Sequence, residues 1–130
     1  MAKQYGFEKL EVYQDARIYV RQVYLLTSTF AETEKYGLCS QLQRAAVSIV
    51  SNIVEGTSRA SNKEKERFIE IAYGSLLETF CQFQIAVDLG YIQQRQLDEL
   101  QIQIDKIANK LSALKHSYST LNVQRSTQIL

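Results

Sequence analysis

Proline and tryptophan are both missing from this 130-residue chain, and glycine occurs only five times. So few breakers exclude a many-turned β-sandwich or barrel, which needs Gly/Pro punctuation about every ten residues. Long helices are the alternative. Long apolar runs are missing too: none approaches the ~20 residues needed to cross a bilayer. The start, Met1 to Gly6, is neither an apolar signal core nor an Arg-rich transit peptide. No charge of one sign dominates, because 15 Lys and Arg face 14 Asp and Glu for a net of +1. Bulk charge therefore marks neither a nucleic-acid binder nor an acidic-ligand binder. The two cysteines, Cys39 and Cys81, have no metal-like spacing and no secretory signal before them. They read as buried, reduced thiols in a cytoplasmic protein.

What the chain does have is 45% hydrophobic residues in one domain's length of sequence, and they recur at helical steps. From Leu10 to Phe30 the stripe is Tyr13, Ala16, Val20, Val23 and Phe30, with Thr27 in register. Val12, Ile18, Tyr19, Leu25 and Leu26 widen it beyond what one bundle core needs, so Ile18, Tyr19, Leu25 and Leu26 are expected between subunits. After a short turn over Glu32–Gly37, a second stripe runs through Leu38, Leu42, Ala45, Ala46, Ile49 and Ile53. Gly56 either ends that helix or marks a close approach. Ser61 followed by Glu64 reads as a capping box opening a third helix. Its expected buried face is Phe68, Ile71, Ala72, Ser75, Leu76, Thr79, Phe83, Ala86 and Leu89, with Gly90 as its stop. Leu97, Leu100, Ile104, Ile107, Leu111, Leu114, Tyr118 and Leu121 step alternately by three and four, a heptad seam. Four such rods with short connections predict an all-α, antiparallel up-down four-helix bundle over residues 1–118, with a flexible polar tail over 119–130.

The second helix carries a polar face as well. Gln41, Arg44, Ser48, Asn52 and Glu55 fall within about 80° of arc. Arg44 and Glu55 are placed to pair with a neighbouring helix, with Glu78 a candidate partner. The reading is a structural hydrogen-bond network that fixes helix register. Its rival is a ligand groove, and an enzyme built on Arg44, Asn52 and Glu55 is a distant third. Catalysis has little to stand on. The one histidine, His116, lies near the start of the tail, and a single histidine excludes the paired Glu-x-x-His pattern of a di-metal bundle. No Gly-rich loop cradles phosphate, and Gly74-Ser75 lies mid-helix rather than on a strand-to-helix elbow. No cofactor, metal or catalytic residue is expected.

Charge is segregated along the chain. Residues 68–105 carry Arg95 alone against Glu70, Glu78, Asp88, Asp98, Glu99 and Asp105, whereas residues 106–130 carry Lys106, Lys110, Lys115 and Arg125 with no acid. A second basic cluster, Arg59, Lys63, Lys65 and Arg67, occupies the helix 2–3 connection, and Arg17 with Arg21 forms a weaker ridge on helix 1. Such clusters suit backbone phosphates, and an oligomer multiplies them. No zinc-finger, helix-turn-helix or RNP-type aromatic pattern accompanies them, so any binding is backbone-directed and salt-sensitive.

Three stretches, EKYGLCSQLQR (Glu34–Arg44), AAVSIVSNIVEG (Ala45–Gly56) and FIEIAYGSLLE (Phe68–Glu78), together with the opening FEKLEVYQDA (Phe7–Ala16), resemble the four-helix-bundle family of 23S rRNA intervening-sequence proteins. This is also called the S23 ribosomal protein family, and the resemblance spans roughly Phe7 to Leu114. Gln41, Arg44, Ser48, Asn52, Glu55, Gly56, Arg59, Ser75 and Glu78 match its polar motif positions. The resemblance implies a left-handed up-down bundle assembling into a homopentamer, with no accepted catalytic activity. It also implies a relation to the basic accessory protein of diversity-generating retroelements, which binds nucleic acid and works with a reverse transcriptase. Two departures are Val50 and Ala31, which stand where the family usually has proline. Their loss is expected to straighten helix 2 and loosen the turn before it.

Sequence thus points to a cytoplasmic, non-enzymatic homo-oligomer that binds RNA or DNA backbone and has no membrane partner. The alternative is a protein–protein scaffold that never touches nucleic acid. The expected contacts are Arg59, Lys63, Lys65, Arg67, Lys106, Lys110 and Lys115, with Arg17 and Arg21 behind them.

Overall fold

The computed structural model describes residues 2–129, with side chains described from residue 2 to residue 120. Four helices carry the fold: α1, Glu11–Thr27; α2, Leu38–Ser58; α3, Asn62–Asp88; and α4, Gln94–Ile129. Single 3₁₀ turns, Gly6–Lys9 and Glu32–Glu34, precede α1 and α2, and no strand occurs among the described residues. Neighbouring helices run antiparallel. Thr27 meets Cys39 and Gln43 across α1 and α2, while Gln41 and Ser48 meet Gln82 and Ser75 across α2 and α3. Glu66 and Glu70 meet Ser119 and Lys115 across α3 and α4, and Asp15 meets Lys106 and Lys110 across α1 and α4. The expected all-α bundle is what forms.

Local chemistry sets the helix ends. Thr27, Ser28 and Thr29 each donate a hydroxyl to the carbonyl three residues back, adding to the backbone bonds that close the end of α1. Thr57 and Ser58 do the same at the end of α2. α3 opens with Ser61 Oγ accepting the Glu64 amide at 3.1 Å. The Glu64 carboxylate turns to Arg67 Nε, 3.8 Å away. α3 closes on Gly90, whose φ is 80°. There the Tyr91 amide donates to the Ala86 carbonyl at 2.9 Å and the Gly90 amide to that of Val87 at 3.0 Å, a Schellman ending.

Packing follows the predicted stripes closely on α2 and α4. All six α2 residues are buried, as are Leu97, Leu100, Ile104, Ile107 and Leu111, while Leu114 and Tyr118 are half-buried. Leu121 lies outside the described side chains, as does most of the tail expected over 119–130; the α4 backbone continues along that tail to Ile129. α3 requires a correction. Ile71 and Leu89, expected inside, are exposed, Phe68 is half-buried, and Ile69 takes the inward position. Ile69 lies three and seven residues before Ala72 and Leu76, so it continues their stripe where Ile71 cannot. Gly56 lies inside α2 and marks a close approach: a Cβ there would sit 3.1 Å from Ile69 Cδ1 and 3.3 Å from the Lys65 carbonyl oxygen.

Tyr19 is a second correction. Expected between subunits, it is fully buried in its own core, with its hydroxyl 2.8 Å from Thr79 Oγ1. Thr79 gives its own proton to the Leu76 carbonyl at 2.6 Å, so the tyrosine is the donor. Burial pushes the phenol's pKa up. The cysteines are free and unlike each other. Cys39 is buried, with a thiol pKa raised by burial and by Glu34, whereas Cys81 is exposed, contrary to the expectation that both are inside. Position 81 falls between Thr79 and Phe83, both core-facing, on the opposite side of α3. No helix among the described residues is long and apolar enough to cross a membrane.

Candidate nucleic-acid interface

Antiparallel packing gathers three distant chain segments at one end of the bundle. Lys65 Nζ lies 5.6 Å from the Tyr118 ring centroid, and Ser119 Oγ donates to Glu66 Oε1 at 2.6 Å. Tyr5 and Phe7 line the same groove as Thr57, Ser58 and Tyr118. Arg59, Lys63, Lys65, Arg67 and Lys115 therefore share this end with Lys3 and Lys9, and with the carboxylates of Glu8, Glu55, Glu64, Glu66 and Glu70. The opposite end carries Glu32, Glu34, Asp88, Asp98 and Glu99 against Lys35 and Arg95.

How firmly each cation is held differs. Arg59 pairs with Glu55 at 2.8 Å, Arg67 with Glu64 at 3.8 Å and Lys115 with Glu70 at 2.9 Å. All three carboxylates are more than half exposed, and such surface pairs contribute about 0–1 kcal/mol. A phosphate can displace them. Lys63 and Lys65 have no ion pair among the described residues. Lys106 and Lys110 are held differently. Lys110 Nζ lies 2.6 Å from Asp15 Oδ2 and 3.0 Å from Glu11 Oε2, and Lys106 Nζ lies 3.4 Å from Asp15 Oδ1. The Asp15 side chain is only 10% exposed. Burial pushes its pKa up, but the hydrogen bonds from Lys110 and Lys106 outweigh that and hold it below the ordinary value. Lys110 in turn is raised by its bonds to Asp15 and Glu11. Both lysines reach across to α1, Lys110 the more tightly, while Lys106 stays half exposed. Arg17 rests 5.6 Å from the Tyr13 ring, near this end, and Arg21 stands exposed one turn farther on.

The polar face of α2 forms a network, though not with every expected member. Asn52 Nδ2 donates to the Ser48 carbonyl at 2.8 Å and to Ser48 Oγ at 3.0 Å, and Ser48 Oγ lies 2.9 Å from Ser75 Oγ. Nearer the acidic end, Gln82 Nε2 donates to Gln41 Oε1 at 3.4 Å and Glu78 Oε1 at 3.3 Å. Arg44 is exposed without an ion pair among the described residues, and Glu55 turns away to Arg59 instead of Glu78. Arg44, Asn52 and Glu55 thus do not converge on one point. Gln82 is a member the sequence reading missed. Its spacing from Ser75 and Glu78, seven and four residues, was the available signal.

The seam between α1 and α4 is open along its outer side. Ile18, Leu25 and Ile102 are 54%, 62% and 75% exposed. Beside them Leu26, Gln22, Glu99 and Leu100 line a groove of about 300 Å³. Gln22 Oε1 in that seam is buried without a hydrogen-bond partner.

Among protein families, the one described as 23S rRNA-intervening sequence protein matches residues 8–113. The chain belongs to that family. The bundle of this intervening-sequence protein is similar to a solved structure of unknown function from the S23 ribosomal protein family of Bacteroides thetaiotaomicron VPI-5482. The TM-score is 0.71 at 19% identity, covering 80% of this chain and 97% of that one. Among curated proteins, none matches. The family match takes in α1, α2, α3 and most of α4, so the basic helix 2–3 connection and the polar network both lie within it.

Proposed function

We propose that this protein binds nucleic acid through backbone phosphates at the α2–α3 end of the bundle, as a non-catalytic accessory factor. One observation carries this reading. Cations from the N-terminal segment, the α2–α3 connection and late α4 meet at one end and outnumber the carboxylates among them, while at the other end carboxylates outnumber cations. Lys63 and Lys65 have no ion pair among the described residues, although Lys65 rests over the Tyr118 ring. Arg59, Arg67 and Lys115 pair with exposed carboxylates, the two arginines also lying over the Phe68 ring. The family's link to intervening sequences of 23S rRNA supports the same direction. Filter-binding titrations across salt test it: log K falls with log[salt] if several phosphates are neutralised. A flat plot refutes the reading. Reversing Lys63 and Lys65 to glutamate should weaken binding about tenfold or more and reduce the salt slope by about two.

A second reading is favoured by the open α1/α4 seam. Ile18 and Leu25 on α1 and Ile102 on α4 are exposed apolar residues that suit contact with another copy of the chain, and the family resemblance implies a pentamer. A monodisperse monomer in light scattering refutes it. If charge reversal at Lys63 and Lys65 leaves function intact while Leu25→Asp abolishes it, the protein is a scaffold for protein partners.

A further inference from the structure

The basic end of the bundle holds a feature that phosphate binding does not use. A groove of about 460 Å³ runs between the N-terminal segment, the end of α2 and α4, within the ~300–1,000 Å³ typical of ligand sites. Its walls are aromatic and apolar: Tyr5, Phe7, Leu10, Val54 and Tyr118. Tyr5 is 55% exposed, lies outside the four helices, and stacks on Phe7 with centroids 6.0 Å apart and planes at 12°. Phe7 is buttressed in turn by the edge of Tyr13 at 5.0 Å. Ammonium groups cap two of these rings, Lys3 over Tyr5 at 5.2 Å and Lys65 over Tyr118 at 5.6 Å.

An open aromatic face with a lysine beside it is what a nucleobase and its adjoining phosphate require together. The base takes the ring face, and the displaced ammonium moves to the phosphate. A base already inside a duplex has both faces covered, so the groove selects unpaired nucleotides. Thr57 and Ser58 narrow the choice further. Each hydroxyl gives its proton to a carbonyl of its own helix, Val54 and Glu55, both at 2.8 Å. Their oxygens are left as acceptors beside the groove, which matches a donor such as a ribose 2′-hydroxyl.

We propose that this groove takes an unpaired nucleotide of RNA, its base stacked on Tyr5 and Tyr118 and its flanking phosphates held by Lys3 and Lys65. This rests on the nucleic-acid reading above and specifies its ligand. The test uses the full chain and a short single-stranded RNA carrying aminopurine, whose fluorescence is quenched on stacking. The same RNA annealed to its complement and a DNA strand of identical sequence serve as further arms. Tyr5→Ala should weaken single-stranded RNA binding about tenfold and abolish the quench, while Tyr5→Phe retains both. Duplex affinity and the salt slope should not change. If Tyr5→Ala leaves single-strand affinity and quench unchanged, or the duplex binds as tightly as the single strand, the groove proposal falls while phosphate binding stands. Equal affinity for the DNA strand overturns the assignment to RNA. If no strand binds at any salt, both readings fall together.

Discussion

Between α2 and α3 the helices approach through small groups: the hydrogen of Gly56, with Ile69 and the Lys65 carbonyl against it, and the Ser48 and Ser75 hydroxyls at 2.9 Å. Between α1 and α4 the seam is spanned by long side chains. Lys110 and Lys106 reach Asp15, Gln103 Nε2 donates to the Asp15 carbonyl at 3.1 Å, and farther along an open groove remains. Small residues let backbones meet and leave little surface over. Extended ones hold helices together at their tips and leave apolar residues such as Leu25 and Ile102 facing outward. Within one bundle, the first seam is closed and the second leaves apolar surface uncovered.

That contrast can be broken most sharply at Gly56. Gly56→Leu forces a branched side chain against Ile69 and the Lys65 carbonyl, and should cost about 3 kcal/mol in urea unfolding. A variant as stable as the parent would show that α2 and α3 have room to separate. The polar link from α1 into the tight half comes next. Thr79→Val strands the buried Tyr19 hydroxyl and should cost about 2 kcal/mol, whereas Tyr19→Phe removes the donor and should cost about 1 kcal/mol. Equal costs would mean that Tyr19 finds another acceptor.

The charged seam answers to pH. Asp15 is held below its ordinary value of 3.8 in the folded chain, so its contribution is complete above about pH 4 and fades as pH falls through the lowered value. Asp15→Asn should cost about 1.5 kcal/mol at neutral pH and flatten the acid limb of the stability profile. A parallel acid limb in the two proteins would contradict this. At the joint between the halves, Ala31 has φ of −57°, and its amide donates no backbone bond outside the helices. That geometry accepts proline, and Ala31→Pro should raise stability by about 0.5 kcal/mol. The smallest expected change is on the outer face of α1: Ile18→Asp should move the stability of the single chain by less than about 0.5 kcal/mol, and on the proposed self-association it should lower the mass seen in light scattering.

Legibility from sequence followed the same division. The α4 seam was readable because its heptad alternates almost without competitors, Ile102 apart, and the α2 stripe because Gln41, Ser48 and Asn52 border one side of it. α3 has apolar residues on several faces, among them Ile69, Ile71, Leu76, Leu77 and Ile85. Periodicity alone therefore placed Ile71 inside and missed Ile69. The expected network was found where its members share one helix pair, and misplaced for Arg44, which stays exposed, and for Glu55, which pairs with Arg59 on its own side of the bundle. Lys106 and Lys110 looked free because Asp15 is some ninety positions away in the chain. The aromatic groove was invisible for a related reason: Tyr5, Phe7, Val54 and Tyr118 come from three segments that only the packing unites.

The serine bridge and the Gln41–Gln82 bond have a mechanical consequence. A slide of α3 past α2 by one turn, about 5.4 Å, would break every cross-link between them at once, so this pair moves as a single stiff beam. The α1–α4 pair has no such lock of short groups, since its links run through the long side chains of Lys106, Lys110 and Gln103.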